Sequence, residues 1–209
     1  PVIRTGKIRR IASRRMTREP AYVSKLPVIC VGNLTAGGTG KTPIVRAICT
    51  YLKAEGHVPV ILSRGYGGNT EGPRRVDVTR DTSDSVGDEP LMLAASFPVL
   101  IARDRASGAR FIDAAHVAFK ATVIVMDDGL QNPALGKTLS IAVVDRVRGI
   151  GNGRVIPAGP MRASLSAQLE KTGIAVLVTP PNAPAGSSRP TFLDAFKGEV
   201  VQTHVAPST

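Results

Sequence analysis

Apolar strands alternating with helical stretches, a glycine-rich turn joining the first strand to the first long helix, and a later hydrophobic strand ending in paired aspartates set the fold class of this 209-residue chain. The class is α/β, a P-loop NTPase-like, mostly parallel sheet with helices on both faces. Parallel strands need crossover connections, and helices laid over both faces leave strands that read as continuous apolar runs.

Each element follows from local pattern. Residues 1–19 read as a basic amphipathic helix, with Ile8, Ile11, Ala12 and Met16 at helical spacing and arginines between them, until Pro20 breaks it. Residues 27–33 (PVICVGN) form a strand, and a helix runs from about Thr42 to Glu55. Residues 58–63 give a second strand, and 64–87 are polar, Gly-rich and irregular. A short helix over 88–96, a strand over 99–102 and a helix over 105–119 follow. Further strands are expected at 122–127, 139–144 and 174–179, and a possible one at 199–205 has nothing after it to pair with. The chain therefore divides into a basic N-terminal segment (1–25), a P-loop core (26–180), and a linker with the start of a truncated C-terminal part (181–209). Beginning at Pro1 and ending in a loop-rich stretch, it reads as a fragment.

Composition narrows the function. With 43% hydrophobic and 21% charged residues, disorder throughout is excluded. No apolar run approaches the roughly 18 residues of a spanning helix, and no signal-peptide pattern is present. Cys30 and Cys49 make neither a disulfide framework nor a metal set and are expected in the core, which points to a reducing cytosol. His57, His116 and His204 are isolated, without metal-ligand spacing, and read as surface or packing residues. The net charge of +11 is concentrated: residues 1–25 hold eight basic side chains against Glu19 alone.

The stretch Thr35-Ala36-Gly37-Gly38-Thr39-Gly40-Lys41-Thr42, between a strand and a helix, has the context a P-loop requires. Glycines let backbone N–H groups converge on phosphate oxygens without Cβ clashes, and the helix start adds its positive dipole end. Lys41 can reach the terminal phosphates of a nucleotide, and the Thr42 hydroxyl can ligate Mg²⁺. Residues 123–129 (VIVMDDG) end a hydrophobic strand in Asp127 and Asp128, the arrangement that sets a carboxylate beside a P-loop for Mg²⁺, a turn or cap role being the alternative. Asp104, between Arg103 and Arg105 just past a strand, is either a carboxylate able to accept a proton from a substrate hydroxyl or a surface ion pair at a helix start. Three loops have ligand-binding composition: 63–68 (SRGYGG), 87–90 (GDEP) and 157–162 (PAGPMR). In them Arg64 and Arg162 can bind phosphate bidentately, or lie solvated on the surface.

In this order the stretches VICVGNLTAGGTGKTP, LSRGYGG, VGDEP, ARDR, VIVMDDGLQN and VIPAGPMR resemble the tetraacyldisaccharide 4'-kinases, the lipid A 4'-kinase family of Gram-negative bacteria. The resemblance covers residues 27 to 163, and the family has Thr or Ser where the usual first P-loop glycine stands, as Thr35 does here. It implies transfer of the ATP γ-phosphoryl group to the 4'-hydroxyl of a tetraacylated glucosamine disaccharide 1-phosphate. In that reading Asp104 is the catalytic carboxylate near the acceptor hydroxyl, Asp127 and Asp128 serve the Mg²⁺ and catalytic site, and Lys41 and Thr42 serve ATP and metal. The chain departs from the family at Leu130 and Asn132, where Phe and His are frequent. It also has no equivalent of the family's His-containing C-terminal motif before Thr209, and its membrane helix is missing or represented only by a basic end. These residues alone are expected to bind ATP and to catalyse weakly or not at all.

The implied partners are the lipid A disaccharide precursor and the anionic surface of the bacterial inner membrane, approached from the cytoplasmic side by the basic N-terminus. No nucleic acid and no obligate protein partner are implied. Two other classes share the loop. A P-loop GTPase or metallochaperone-type switch calls for a base-specificity motif such as NKxD, which is absent from the sequence. A nucleic-acid-dependent ATPase fits the high pI but not the single short basic segment, nor an aromatic content of 4%.

Overall fold

The computed structural model describes residues 16, 18–37, 40–184 and 186–204. Eight strands form one sheet in the order β3-β4-β2-β5-β1-β6-β7-β8. The central strands are β1 (Val28–Asn33), β5 (Val123–Asp127), β2 (Pro59–Ser63) and β4 (Val99–Ile101), and the other half is β6 (Leu139–Asp145), β7 (Ile174–Thr179) and β8 (Glu199–His204). All of these pair in parallel. Only β3 (Arg74–Arg75) runs antiparallel, against β4.

Side chains alternate across the sheet and build a core on each face. On one face Val31, Ile61, Val125 and Val143 pack with Val45 and Cys49 of α1 (Lys41–Ala54) and Leu93 of α3 (Asp88–Ala94). On the other, Cys30, Leu62 and Met126 pack with Ala109 and Ile112 of α4 (Arg105–Ala114) and Phe119 of α5 (His116–Phe119). Farther along that second face, Ala142, Val144 and Leu177 meet Leu34, Leu130 and Leu193, with Leu165 and Leu169 of α6 (Leu165–Glu170) packed against them. Both cysteines are free thiols in the core, and burial pushes Cys30 up to about 11 and Cys49 to about 12.

The helix expected over 105–119 divides at Ala115 into α4 and α5, and Lys120 ends α5 in the left-handed region. Helix α2 (Ser83–Val86) lies in the stretch that the sequence reads as irregular, and α6 in one to which the sequence assigns no element; at four and six residues they are too short to show a helical period. Strand β8 finds its partner before it in the sequence rather than after it: Glu199 to His204 pair in parallel with Ile174 to Thr179. Residues 199–204 thus extend the same sheet, and Leu193 just before them is fully buried in the core beneath it. The basic helix expected over 1–19 lies outside the described residues, apart from buried Met16 and the exposed residues that follow. Among the described residues no helix is long and apolar enough to cross a membrane.

Candidate active site

The first crossover builds the site. Strand β1 ends at Asn33, the chain turns through Gly37 (φ 109°) and Gly40 (φ 76°), and α1 starts at Lys41. Both glycines stand in backbone regions that a side chain would strain, so this tight return needs them. Gly40 is the N-cap and supplies no side-chain hydrogen bond, which leaves the first amides of a 14-residue helix open to an anion. Thr35 is buried and bridges Met161; Ala36, Gly37, Lys41 and Thr42 line the turn, while Gly38 and Thr39 lie outside the described residues. A second loop braces the start of the turn: the Ala36 N–H donates to the Pro160 carbonyl at 2.8 Å, and the Arg162 N–H to Leu34 at 3.1 Å.

Parallel pairing brings the aspartates to this turn. Val31 and Asp127 are partners in the β1–β5 register, so β5 delivers Asp127 and Asp128 beside the end of β1. Asp128 takes φ 51°, leaving the strand direction at once. Its carboxylate oxygens stand 2.9 and 3.0 Å from Arg162 Nη1, and Oδ1 lies 3.7 Å from Lys41 Nζ. Asp127 is buried; Oδ2 accepts from the Ser63 hydroxyl at 3.4 Å, and Oδ1 has no partner among the described residues. Burial, followed by the charges of Glu89 and Asp128, pushes its carboxyl up to about 6 against the pull of Lys41 and Arg105.

Arg105 is buried under the strand ends, donating to the carbonyls of Ala102 at 2.7 Å and Asp127 at 3.0 Å. Desolvation lowers it to about 10, so it stays charged at neutral pH. With Arg64, Arg103 and Arg162 it lines a cleft of about 390 Å³ in which Asp128 supplies the only acidic side chain among the described residues. Four guanidinium groups and one carboxylate make an anion site with room for a phosphorylated ligand.

The structure brings together Lys41, Asp127, Asp128, Arg64 and Arg162. Asp104 stands apart: exposed, it caps α4 by accepting the Ala106 N–H on Oδ1 at 3.0 Å, and it borders the cleft without lining it. Glu89 is the residue that sequence reasoning left without a role. Its Oε1 accepts from the Thr42 hydroxyl at 3.3 Å, across 47 positions of sequence. The GDEP loop carried the only signal for it, and only as composition. Thr42 and Glu89 bring together two oxygen donors of the kind a divalent magnesium ion takes, and the charge of Glu89 is felt at Asp127.

A glycine turn capped by Lys-Thr, a strand-end aspartate pair and an arginine-lined cleft define a P-loop protein that handles phosphate groups. The family model for tetraacyldisaccharide-1-P 4'-kinase matches residues 3–208, and the chain belongs to that family. It is 51% identical over 173 residues to the tetraacyldisaccharide 4'-kinase of Dinoroseobacter shibae, covering 83% of this chain and 50% of that one. To the same-named protein of Rhodopseudomonas palustris it is 47% identical over 200 residues, with 94% and 56% covered. The chain thus spans about half the length of the curated relatives it matches. The crystal structure of LpxK from Aquifex aeolicus in complex with ATP shares the fold at TM-score 0.74 and 24% identity, over 96% of this chain and 62% of that one.

Proposed function

We propose that this chain carries the nucleotide-binding and phosphotransfer core, residues 26–180, of an enzyme that moves the γ-phosphoryl group of ATP to the 4'-hydroxyl of a tetraacylated glucosamine disaccharide 1-phosphate in lipid A biosynthesis. The observation that carries it is the meeting of Lys41 and Thr42 with Asp128 and Glu89 at the start of α1, in a member of this family. The amides of the turn and Lys41 bind the phosphates of ATP, and Arg162 and Arg64 hold the anionic groups that converge on the cleft. Thr42, Glu89 and Asp127 would hold Mg²⁺, which when bound offsets phosphate charge.

Transfer asks of these residues mainly alignment and charge stabilisation. The acceptor proton needs a nearby carboxylate. Asp104 is assigned that role, with Oδ2 available since Oδ1 is committed to the helix cap. The basic N-terminal segment, 1–25, approaches the anionic cytoplasmic face of the inner membrane, where the lipid acceptor resides.

The test is ATP-dependent phosphorylation of the disaccharide 1-phosphate in lipid–detergent micelles, by this chain and by the same chain within the full-length protein. Lys41→Ala is expected to abolish transfer and to weaken ATP binding at least about tenfold, the worth of a charge-assisted phosphate contact. Normal turnover in Lys41→Ala refutes the assignment. Asp104→Ala is expected to bind ATP normally yet not to transfer, and normal transfer by it would place the proton acceptor elsewhere.

A further inference from the structure

The phosphate-binding turn is tied to α6 by a relay of side-chain amides, two of them fully buried. Asn33, fully buried at the end of β1, donates from Nδ2 to the Gly37 carbonyl at 3.1 Å. Its own backbone carbonyl accepts from Gln131 Nε2 at 2.6 Å, and the same nitrogen donates to Gln168 Oε1 at 2.7 Å. Gln168, fully buried on α6, donates in turn from Nε2 to the Ala163 carbonyl at 2.9 Å. Ala163 follows Arg162, which grips Asp128, and Asp128 stands 3.7 Å from Lys41. The path leaves the turn at Gly37 and comes back to it at Lys41.

We propose that Gln131 and Gln168 are positioning residues for the phosphate site, acting through Asn33 on the turn and through the 162–163 backbone on Arg162. This rests on the reading of the site as an ATP site. The Gly37 carbonyl, held by Asn33, is turned into the protein and away from an incoming phosphate, whose oxygens would repel it. A glutamine at full burial costs desolvation that a leucine would not, and hydrogen bonds to its polar atoms offset that cost. Both ends of Gln168 are: one holds Gln131, the other the backbone that carries Arg162. Helix α6, six residues long, has little stability of its own, so a bond from its buried face fixes where the neighbouring strap lies. Asn33 and Gln168 do not bond each other; Gln131 joins them.

Equilibrium ATP binding by this chain tests the relay. Gln168→Met, of similar length but without the amide, is expected to raise the Kd for ATP about tenfold, the effect of one buried group left unpartnered. Asn33→Ala is expected to do the same, and the double variant to bind no worse than about the weaker single variant, since both cut one path. Ser166→Ala, on the exposed side of α6, leaves the Kd unchanged. A merely structural amide would lower the melting temperature of Gln168→Met and leave the Kd of the folded protein where it was. An unchanged Kd, or effects of Gln168→Met and Asn33→Ala that multiply, overturns the relay. Gln131→Leu, half-buried in a loop, carries the same test should Gln168→Met not fold. Failure of the unaltered chain to bind ATP overturns the reading of the site itself, and the relay with it.

Discussion

Arg162 and Asp128 meet head-on, a single guanidinium nitrogen standing 2.9 and 3.0 Å from the two carboxylate oxygens, and the same carboxylate faces Lys41 at 3.7 Å. Two cations that a nucleotide phosphate would recruit are therefore already turned toward an internal anion. An incoming triphosphate competes with Asp128 for both. Asp128→Asn removes the competitor while Asn still tolerates the left-handed backbone at this position. Metal-free ATP is then expected to bind about two- to fivefold more tightly, the modest worth of a half-exposed ion pair, with phosphoryl transfer reduced. Titration calorimetry without magnesium measures the first effect, and weaker binding would show that Asp128 is not a competitor.

The Thr42 hydroxyl and Glu89 point to a metal-dependent share of the affinity. Thr42→Val keeps the shape and removes the oxygen that donates to Glu89. Its Kd for ATP is expected to be the same with and without magnesium, whereas the unaltered chain binds more tightly with it and Thr42→Ser restores the difference. A magnesium effect undiminished in Thr42→Val would place the ion elsewhere.

Asp127 makes stability depend on pH in a stated direction. Its carboxyl lies at about 6 in the folded chain against 3.8 ordinarily, so between those values the native state holds more protons than the unfolded one. Stability therefore falls as pH rises through that window and levels off above it. The ionised group costs on the order of 3 kcal/mol. Asp127→Asn is expected to stabilise the nucleotide-free chain by about 2–3 kcal/mol at pH 8 and not at all near pH 4. Urea unfolding at the two pH values checks it, and a gain independent of pH would trace the effect to something other than this ionisation.

What could be read in the sequence is what is local. The β1–turn–α1 unit is contiguous, so strand, glycines, Lys41 and the helix start are visible together. The strand that runs into Asp127 and Asp128 is likewise legible from four consecutive apolar residues, Val123 to Met126. Contacts across long separations were not: Arg162 with Asp128, Glu89 with Thr42 and Gln168 with Gln131 exist only once the crossovers have closed. The pairing of β8 escaped for the same reason, since a parallel partner lies a whole connection upstream. Asp104 shows the opposite limit. Its position before a helix allowed both a cap and a catalytic carboxylate, and the structure commits one of its oxygens to the cap.

The loop carrying Arg64 and the helix carrying Glu89 meet at a single glycine. Gly87 ends α2 and precedes α3 with φ 91°, and a Cβ built there would sit 2.3 Å from the Tyr66 carbonyl oxygen. Backbone, unlike a flexible side-chain tip, has no way to swing aside, so the 63–68 loop would have to shift. Gly87→Ala combines the strain of a non-glycine residue at positive φ, about 1–3 kcal/mol, with overpacking of similar size. A loss of about 2–5 kcal/mol is expected, together with weaker magnesium-dependent ATP binding, because Glu89 moves with the start of α3. Gly56→Ala is the comparison: its φ of 84° carries similar strain, but nothing lies within 4 Å of the added carbon. Denaturant unfolding of the two variants separates strain from collision, and equal losses would remove the Tyr66 contact as the reason glycine stands at position 87.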